Sequence, residues 1–137
     1  MREVIIVSEK PENENQVHIT KITELMSGSV DKLIVNDALD HIANRVEGLK
    51  ILVSKLRYEG IIEIRGIDIL EIARDMYTCR LTIAEANNLL YDGRESCDSI
   101  IGVLELLQKF GLTIMVKQVD NHTYFVRAER TRNVQGN

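Results

Sequence analysis

Proline and cysteine are scarce in this sequence: there is one proline, Pro11, and there are two cysteines, Cys79 and Cys97. Two cysteines are too few for a disulfide framework and cannot form a metal cluster alone. The histidines, His18, His41 and His122, have no metal-ligand spacing, so no metal site is expected. No apolar run approaches the roughly 18 residues that a membrane span needs. The run at Val4–Val7 is also too short for a secretion signal, and acids follow it at once. A basic excess is lacking as well: 17 Lys and Arg stand against 21 Asp and Glu, a net charge of −4. That balance argues against nucleic acid as a partner, because phosphate binding wants a basic face. The eight glycines include no pair spaced as Gly-x-Gly, the spacing of nucleotide-binding turns. A reducing cytoplasm is the expected compartment, with neither a membrane nor nucleic acid as partner.

What is present is enough for a core. Of the 137 residues, 45% are hydrophobic and 28% charged, which suits one compact domain over residues 1–137. Val4-Ile5-Ile6-Val7 and Val17-His18-Ile19-Thr20 read as short strands. Only a short loop separates them, so direct pairing is expected to be antiparallel. Residues 21–27 suit one helical turn. Val30–Val35 and Ile61–Arg65 read as strands buried on both faces of a parallel sheet.

Asn36-Asp37 is placed to cap a helix running from Ala38 to Leu56, whose apolar residues fall on one face. Gly60 is expected to stop that helix. Asp68 reads as the cap of a helix from Ile69 to Met76, Thr82 with Glu85 as a capping box for Ile83–Leu90, and Ser96 as the cap of the next helix. Residues 112–119 and 123–128 form a hairpin around Asp120-Asn121-His122. The end, 130–137, reads as a frayed tail, and Arg127, Arg130 and Arg132 make a small basic end, read as a solvated terminus. The expected class is α/β: a truncated Rossmann-like sheet, mostly parallel, with a C-terminal antiparallel hairpin and flanking helices.

In such sheets ligands bind at the carboxyl ends of the parallel strands. Two loops then become candidates, 36–41 and 65–68, gathering Asp37, Asp40, His41, Arg65, Gly66 and Asp68. Asp40-His41 suits an acid and a general base near neutral pH. The plainer reading is a cap at Asp37 and a packed His41. Gly66 suits close approach of a ligand or simply a turn. Cys97 near a helix start favours a thiolate, with a semi-buried thiol as the alternative. Arg94, in Tyr91-Asp92-Gly93-Arg94, suits a carboxylate or phosphate, with a solvated turn as the alternative.

Residues from Val30 to about Arg130 resemble the C-terminal half of a class I S-adenosylmethionine-dependent methyltransferase. The family's fourth strand runs into an acid and a helix, as Val30-Asp31-Lys32-Leu33-Ile34-Val35-Asn36-Asp37-Ala38-Leu39-Asp40-His41 does here. Its fifth strand follows an L-x-x-G-G turn, matched by Leu56-Arg57-Tyr58-Glu59-Gly60 with Glu59 in place of one glycine. Phe110-Gly111-Leu112 and the Tyr124-Phe125 hairpin match its sixth and seventh strands. The resemblance implies that Asn36 and Asp37 lie at the cofactor S-adenosylmethionine, Asp40 and His41 at the reacting centre, and Arg65, Gly66 and Asp68 at the substrate. The family's glycine-rich turn after the first strand has no counterpart: Val7 is followed by Ser8-Glu9-Lys10-Pro11. Residues 1–29 therefore read as a divergent segment standing where the family keeps its cofactor half.

Two functions follow. One is a methyltransferase-like protein, inactive alone or completed by a partner. The other is a non-catalytic assembly or regulatory module on the same fold. A sheet shortened in this way exposes an edge, so a homodimer or a partner subunit pairing there is expected unless the two N-terminal strands cover it.

Overall fold

Short runs of branched apolar residues, Val4–Val7, Leu33–Val35 and Ile61–Ile64, build the centre of the molecule. The computed structural model describes residues 2–132. Its strands are β1 (Glu3–Val7), β2 (Gln16–His18), β3 (Val30–Asn36), β4 (Leu56–Ile67), β5 (Leu112–Asp120) and β6 (Thr123–Arg130). They form one six-stranded sheet in the order β2-β1-β3-β4-β6-β5. The first four strands run parallel, and β6 lies antiparallel between β4 and β5. The mostly parallel sheet with an antiparallel C-terminal hairpin is therefore present. Arg130, expected in a frayed tail, closes β6, and its guanidinium donates to the carbonyls of Val53 and Leu56 at the end of the helix Arg45–Lys55. The rest of that tail, from 133 on, lies outside the described residues.

The pairing of β1 with β2 corrects the antiparallel expectation: Ile5 lies beside Gln16 and Val7 beside His18, in parallel. The usual dozen-residue minimum assumes a full-length strand. Here the chain has to return only two residues, about 7 Å at some 3.3 Å per residue, which loop 8–15 spans easily. β1 in turn covers the edge of β3, with Ile5 beside Ile34.

The helices are α1 (Arg45–Lys55), α2 (Ile69–Tyr77), α3 (Ile83–Leu90) and α4 (Ile100–Lys109), with 3₁₀ turns at Ile19–Glu24 and Leu39–His41. α1 starts later than its apolar periodicity suggests. Asn44 is its cap, accepting from the Glu47 N–H, whereas Asp37 sits at φ 60° with its N–H on the Arg65 carbonyl. Nor does Gly60 stop α1, since β4 already begins at Leu56. A Cβ on Gly60 would stand 2.8 Å from the Arg57 carbonyl oxygen, so glycine is required by close backbone approach. Asp68 and the Thr82/Glu85 capping box act as expected. The last helix is capped by Ser99 rather than Ser96, whose hydroxyl is drawn away to the Ile42 carbonyl. No helix among the described residues is long and apolar enough to cross a membrane.

Helices cover one face of the sheet. Val4, Ile6, Leu33, Val35, Ile62, Ile64, Val126 and Ala128 point into one apolar cluster with Ile19, Ile22, α1 and α4. The alternate residues, among them Ile5, Lys32, Ile34, Ile61, Glu63, Arg65, Phe125 and Arg127, are half-buried or exposed. β3 and β4 are thus buried on one face, which corrects the two-faced expectation. Glu63 and Arg65, alternating with Ile62 and Ile64, are the reason. On the open face Glu63 pairs with Lys32 (3.8 Å) and Arg127 (2.7 Å), and Arg65 stacks 4.6 Å over Phe125. This ladder lets a largely parallel sheet meet water on one side.

Candidate functional site

Strand order reverses between β1 and β3: the chain passes outward from β1 to β2, then inward to β3 and on to β4. That reversal opens a crevice at the strands' carboxyl ends, where open α/β sheets hold ligands. A cavity of about 570 Å³ occupies it, lined by Ser8, Glu9, Lys10 and Glu12 from the first loop and by Asn36, Asp37, His41, Asp92 and Arg94. Its walls are mainly polar, and its acids outnumber its bases.

An ion-pair chain floors the cavity. Arg94 donates from Nη2 to Asp37 Oδ2 at 2.5 Å, from Nε to Asp40 Oδ2 at 3.2 Å, and from Nη1 to the Leu89 carbonyl at 3.0 Å. Asp40 Oδ1 accepts from Arg45 Nη1 at 2.7 Å, and Arg45 continues to Asp98 and the Tyr124 hydroxyl. The Asp40 carboxylate is 1% exposed, with a further N–H from Ile67 on Oδ2. Asp40 therefore ties two arginines together beneath the cavity instead of facing His41.

The carboxylate that does face His41 belongs to Asp37, with Oδ2 3.9 Å from Nε2. His41 Nδ1 lies 2.9 Å from the Gly93 carbonyl oxygen. A carbonyl only accepts, so Nδ1 carries a proton, and in the neutral ring Nε2 keeps its lone pair beside Asp37. Burial pushes the Asp37 carboxyl above its ordinary value, against the pull of Arg94. Asp37 Oδ1 is enclosed with no hydrogen-bond partner among the described residues. Chemically, this corner can move a proton at His41 Nε2 and accept one further hydrogen bond at Asp37.

The remaining candidates sit apart. Asp68 is buried and consumed in capping: Oδ1 takes Leu70 N–H and Glu71 N–H, and Oδ2 takes Ile100 N–H. Gly66 faces Tyr124 across the β4–β6 ladder, where a Cβ would stand 2.6 Å from the phenol oxygen. It makes room for a side chain of the protein itself. Arg65 is exposed on the open face. Burial pushes the Cys97 thiol up, away from a thiolate. No cluster of metal-binding side chains occurs among the described residues.

Arg45 and Tyr124 were not singled out from sequence. A helix starting at Ala38 would hold Arg45 mid-helix; only the later start places this cation in the first turn, where it opposes the macrodipole and is held by Asp40. Arg94 is no solvated turn residue, since its side chain is 9% exposed.

This architecture is the class I S-adenosylmethionine-dependent methyltransferase fold. A possible histamine N-methyltransferase from Thermotoga maritima superposes with a TM-score of 0.67 at 10% identity, over 95% of this chain and 82% of that one. The CurJ carbon methyltransferase gives 0.61 at 12% identity, over 85% of this chain. A Haloferax volcanii methyltransferase complexed with the Trm112 methyltransferase activator gives 0.58 at 11%, over 80% of this chain. The chain spans only 34% and 57% of the latter two. No family model matches the chain, and no curated protein matches it by sequence.

The first turn of the crevice departs from the form that holds the cofactor in the fold's enzymes. In the fold's enzymes a glycine-rich turn after the first strand lets backbone approach the ligand. Here Ser8, Glu9, Lys10 and Pro11 place side chains at that turn, and His18 Nε2 closes on the Ser8 carbonyl at 3.2 Å. No acid directly follows β2, where a ribose would be held: the next residues are Ile19 and Thr20.

Proposed function

We propose that this chain is a methyltransferase-fold module of assembly or regulation that does not bind S-adenosylmethionine on its own. The observation that carries this reading is the loop after β1, which has Ser8-Glu9-Lys10-Pro11 where close approach of a ligand to backbone calls for glycine. The ion-pair chain supports it, because Arg94 and Asp40 spend their charges on each other. The reduction is internal: loop 8–15 and one 3₁₀ turn make up the connections between β1 and β3. The Trm112 complex supports a partner-dependent role by analogy with that protein. Composition suits the cytoplasm, with residues 1–137 as one domain.

Calorimetric titration with S-adenosylmethionine and with S-adenosylhomocysteine tests the reading. Absence of heat at high micromolar ligand is expected, and saturable binding overturns it.

A second reading, a methyltransferase completed by a partner, is favoured by the His41–Asp37 pair, an oriented base beside a carboxylate in the cavity. There His41 is the proton acceptor, Asp37 its acidic neighbour, and Asn36 lines the cofactor side. It predicts that a partner restores cofactor binding and that Asp37→Ala abolishes it again.

A further inference from the structure

The open face of the sheet holds a second hollow, of about 390 Å³, where β4 meets the β5–β6 hairpin. It shares no lining residue with the crevice cavity. Strand register builds it. Arg65 on β4 lies beside Phe125 on β6, and Phe125 lies beside Gln118 on β5, so the three stand in one row. Asp120 and Thr123 pair at the foot of the hairpin turn, and Asn121 completes the wall.

Arg65 says what fits there. Its guanidinium lies 4.6 Å over the Phe125 ring, and among the described residues its side chain makes no hydrogen bond or ion pair. The other cations beside it are spent: Lys32 and Arg127 both go to Glu63. An aromatic ring takes up the face of a guanidinium and leaves its N–H edge open. The stack therefore holds the plane of the fork without using a donor. Such a fork matches a carboxylate through two parallel hydrogen bonds. Gln118, Asn121 and Thr123 bring neutral donors and acceptors to the same hollow, which suits an amide next to that carboxylate. Asp120 sets the charge. A dianionic phosphate would meet twice the repulsion from it that a monoanionic carboxylate meets.

We infer that this hollow binds a carboxylate flanked by an amide, with Arg65, stacked on Phe125, as its ion-pair partner. Two sources share that chemistry: a free acylated amino acid and the C-terminal end of another protein chain. The inference stands whether or not the crevice takes a ligand.

Titration of the isotope-labelled full chain with N-acetylglycine at constant ionic strength tests it. The signals to follow are the Arg65 side-chain N–H and the backbone amides of Gln118, Asn121 and Thr123. Saturable shifts with a Kd on the order of millimolar are expected, the range of one charge-assisted pair with few further contacts. Arg65→Gln should remove saturation. Arg65→Lys keeps the charge without the fork and should weaken binding at least about threefold. Arg65 is exposed, so both variants should keep the wild-type far-ultraviolet circular dichroism. N-acetylglycinamide should not bind, and inorganic phosphate should bind more weakly than the acid. An N-acetylated tetraglycine acid assigns the source: binding at least about threefold tighter than N-acetylglycine's assigns a chain end, and any smaller gain a free acid. A response that stays linear to about 20 mM overturns the inference. So does an unchanged Kd in Arg65→Gln or Arg65→Lys, and so does phosphate or the amide binding as tightly as the acid. Shifts confined to Ser8–Gln16 and Asn36–His41 overturn it too, because the acid then sits in the crevice.

Discussion

Two sets of ion pairs hold this sheet, and they do different work. On the open face, Lys32, Glu63 and Arg127 form a ladder across β3, β4 and β6. At the rim, Asp37, Arg94, Asp40, Arg45 and Asp98 form a chain with Asp40 fully enclosed. The Lys32 and Arg127 ends of the ladder reach water, so each pair is partly screened. At Asp40, Arg45 and Arg94 the chain has left water behind, so these three are held by one another, and removing one strands a charge. The first explains how a largely parallel sheet stands uncovered on one side. The second explains why the rim is a fixed scaffold around the cavity.

Breaking the chain should have the largest effect. Asp40→Asn leaves two arginines facing a neutral amide and should cost about 3–5 kcal/mol in urea unfolding. A loss below about 1 kcal/mol would mean that water reaches Asp40. Gly66→Ala, beside the same network, pushes a methyl into the Tyr124 phenol and should cost about 1–3 kcal/mol by the same measurement. Glu63→Ala breaks the open ladder and should cost no more than about 1 kcal/mol. A loss equal to that of Asp40→Asn would erase the distinction between the two sets.

The smallest effect is a slope. The folded protein raises the Asp37 carboxyl above its ordinary value, so the folded state holds that proton more tightly than the unfolded chain. The stabilisation from neutral Asp37 is full below the ordinary carboxylate value and is lost as pH rises through the raised one. Unfolding midpoints measured from the carboxylate range upward should show this decline, and Asp37→Asn should remove it. An unchanged slope in that variant assigns the titration to another group.

The middle of the fold was legible because its signals are local. The strands at 30–35 and 61–65, the Asp68 cap, the Thr82/Glu85 box and the Asn121 turn each rest on neighbouring residues, and each lies where expected. What stayed hidden depends on distance along the chain. Parallel pairing of β1 with β2 follows from how short β2 is, and strand length is poorly bounded by composition. The bare face follows from which side the connections take. Glu59 illustrates a legible position with an illegible conformation. It stands where the family pattern has glycine, and its φ is 70°, the left-handed region that glycine adopts at least cost. At the site, Asp37 and His41 come together at the cavity. The pairing of Asp40 with Arg94 needed the closure of the 68–98 excursion, which brings Arg94 back across 54 residues to Asp40.

On the proposed function, the crevice between β1 and β3 takes no S-adenosylmethionine on its own. Amide chemical shifts of the isotope-labelled chain, followed during titration with S-adenosylmethionine to millimolar concentration, test it most directly. Unmoved signals from Ser8–Gln16 and Asn36–His41 are the predicted result. Saturable shifts confined to those two segments would contradict it.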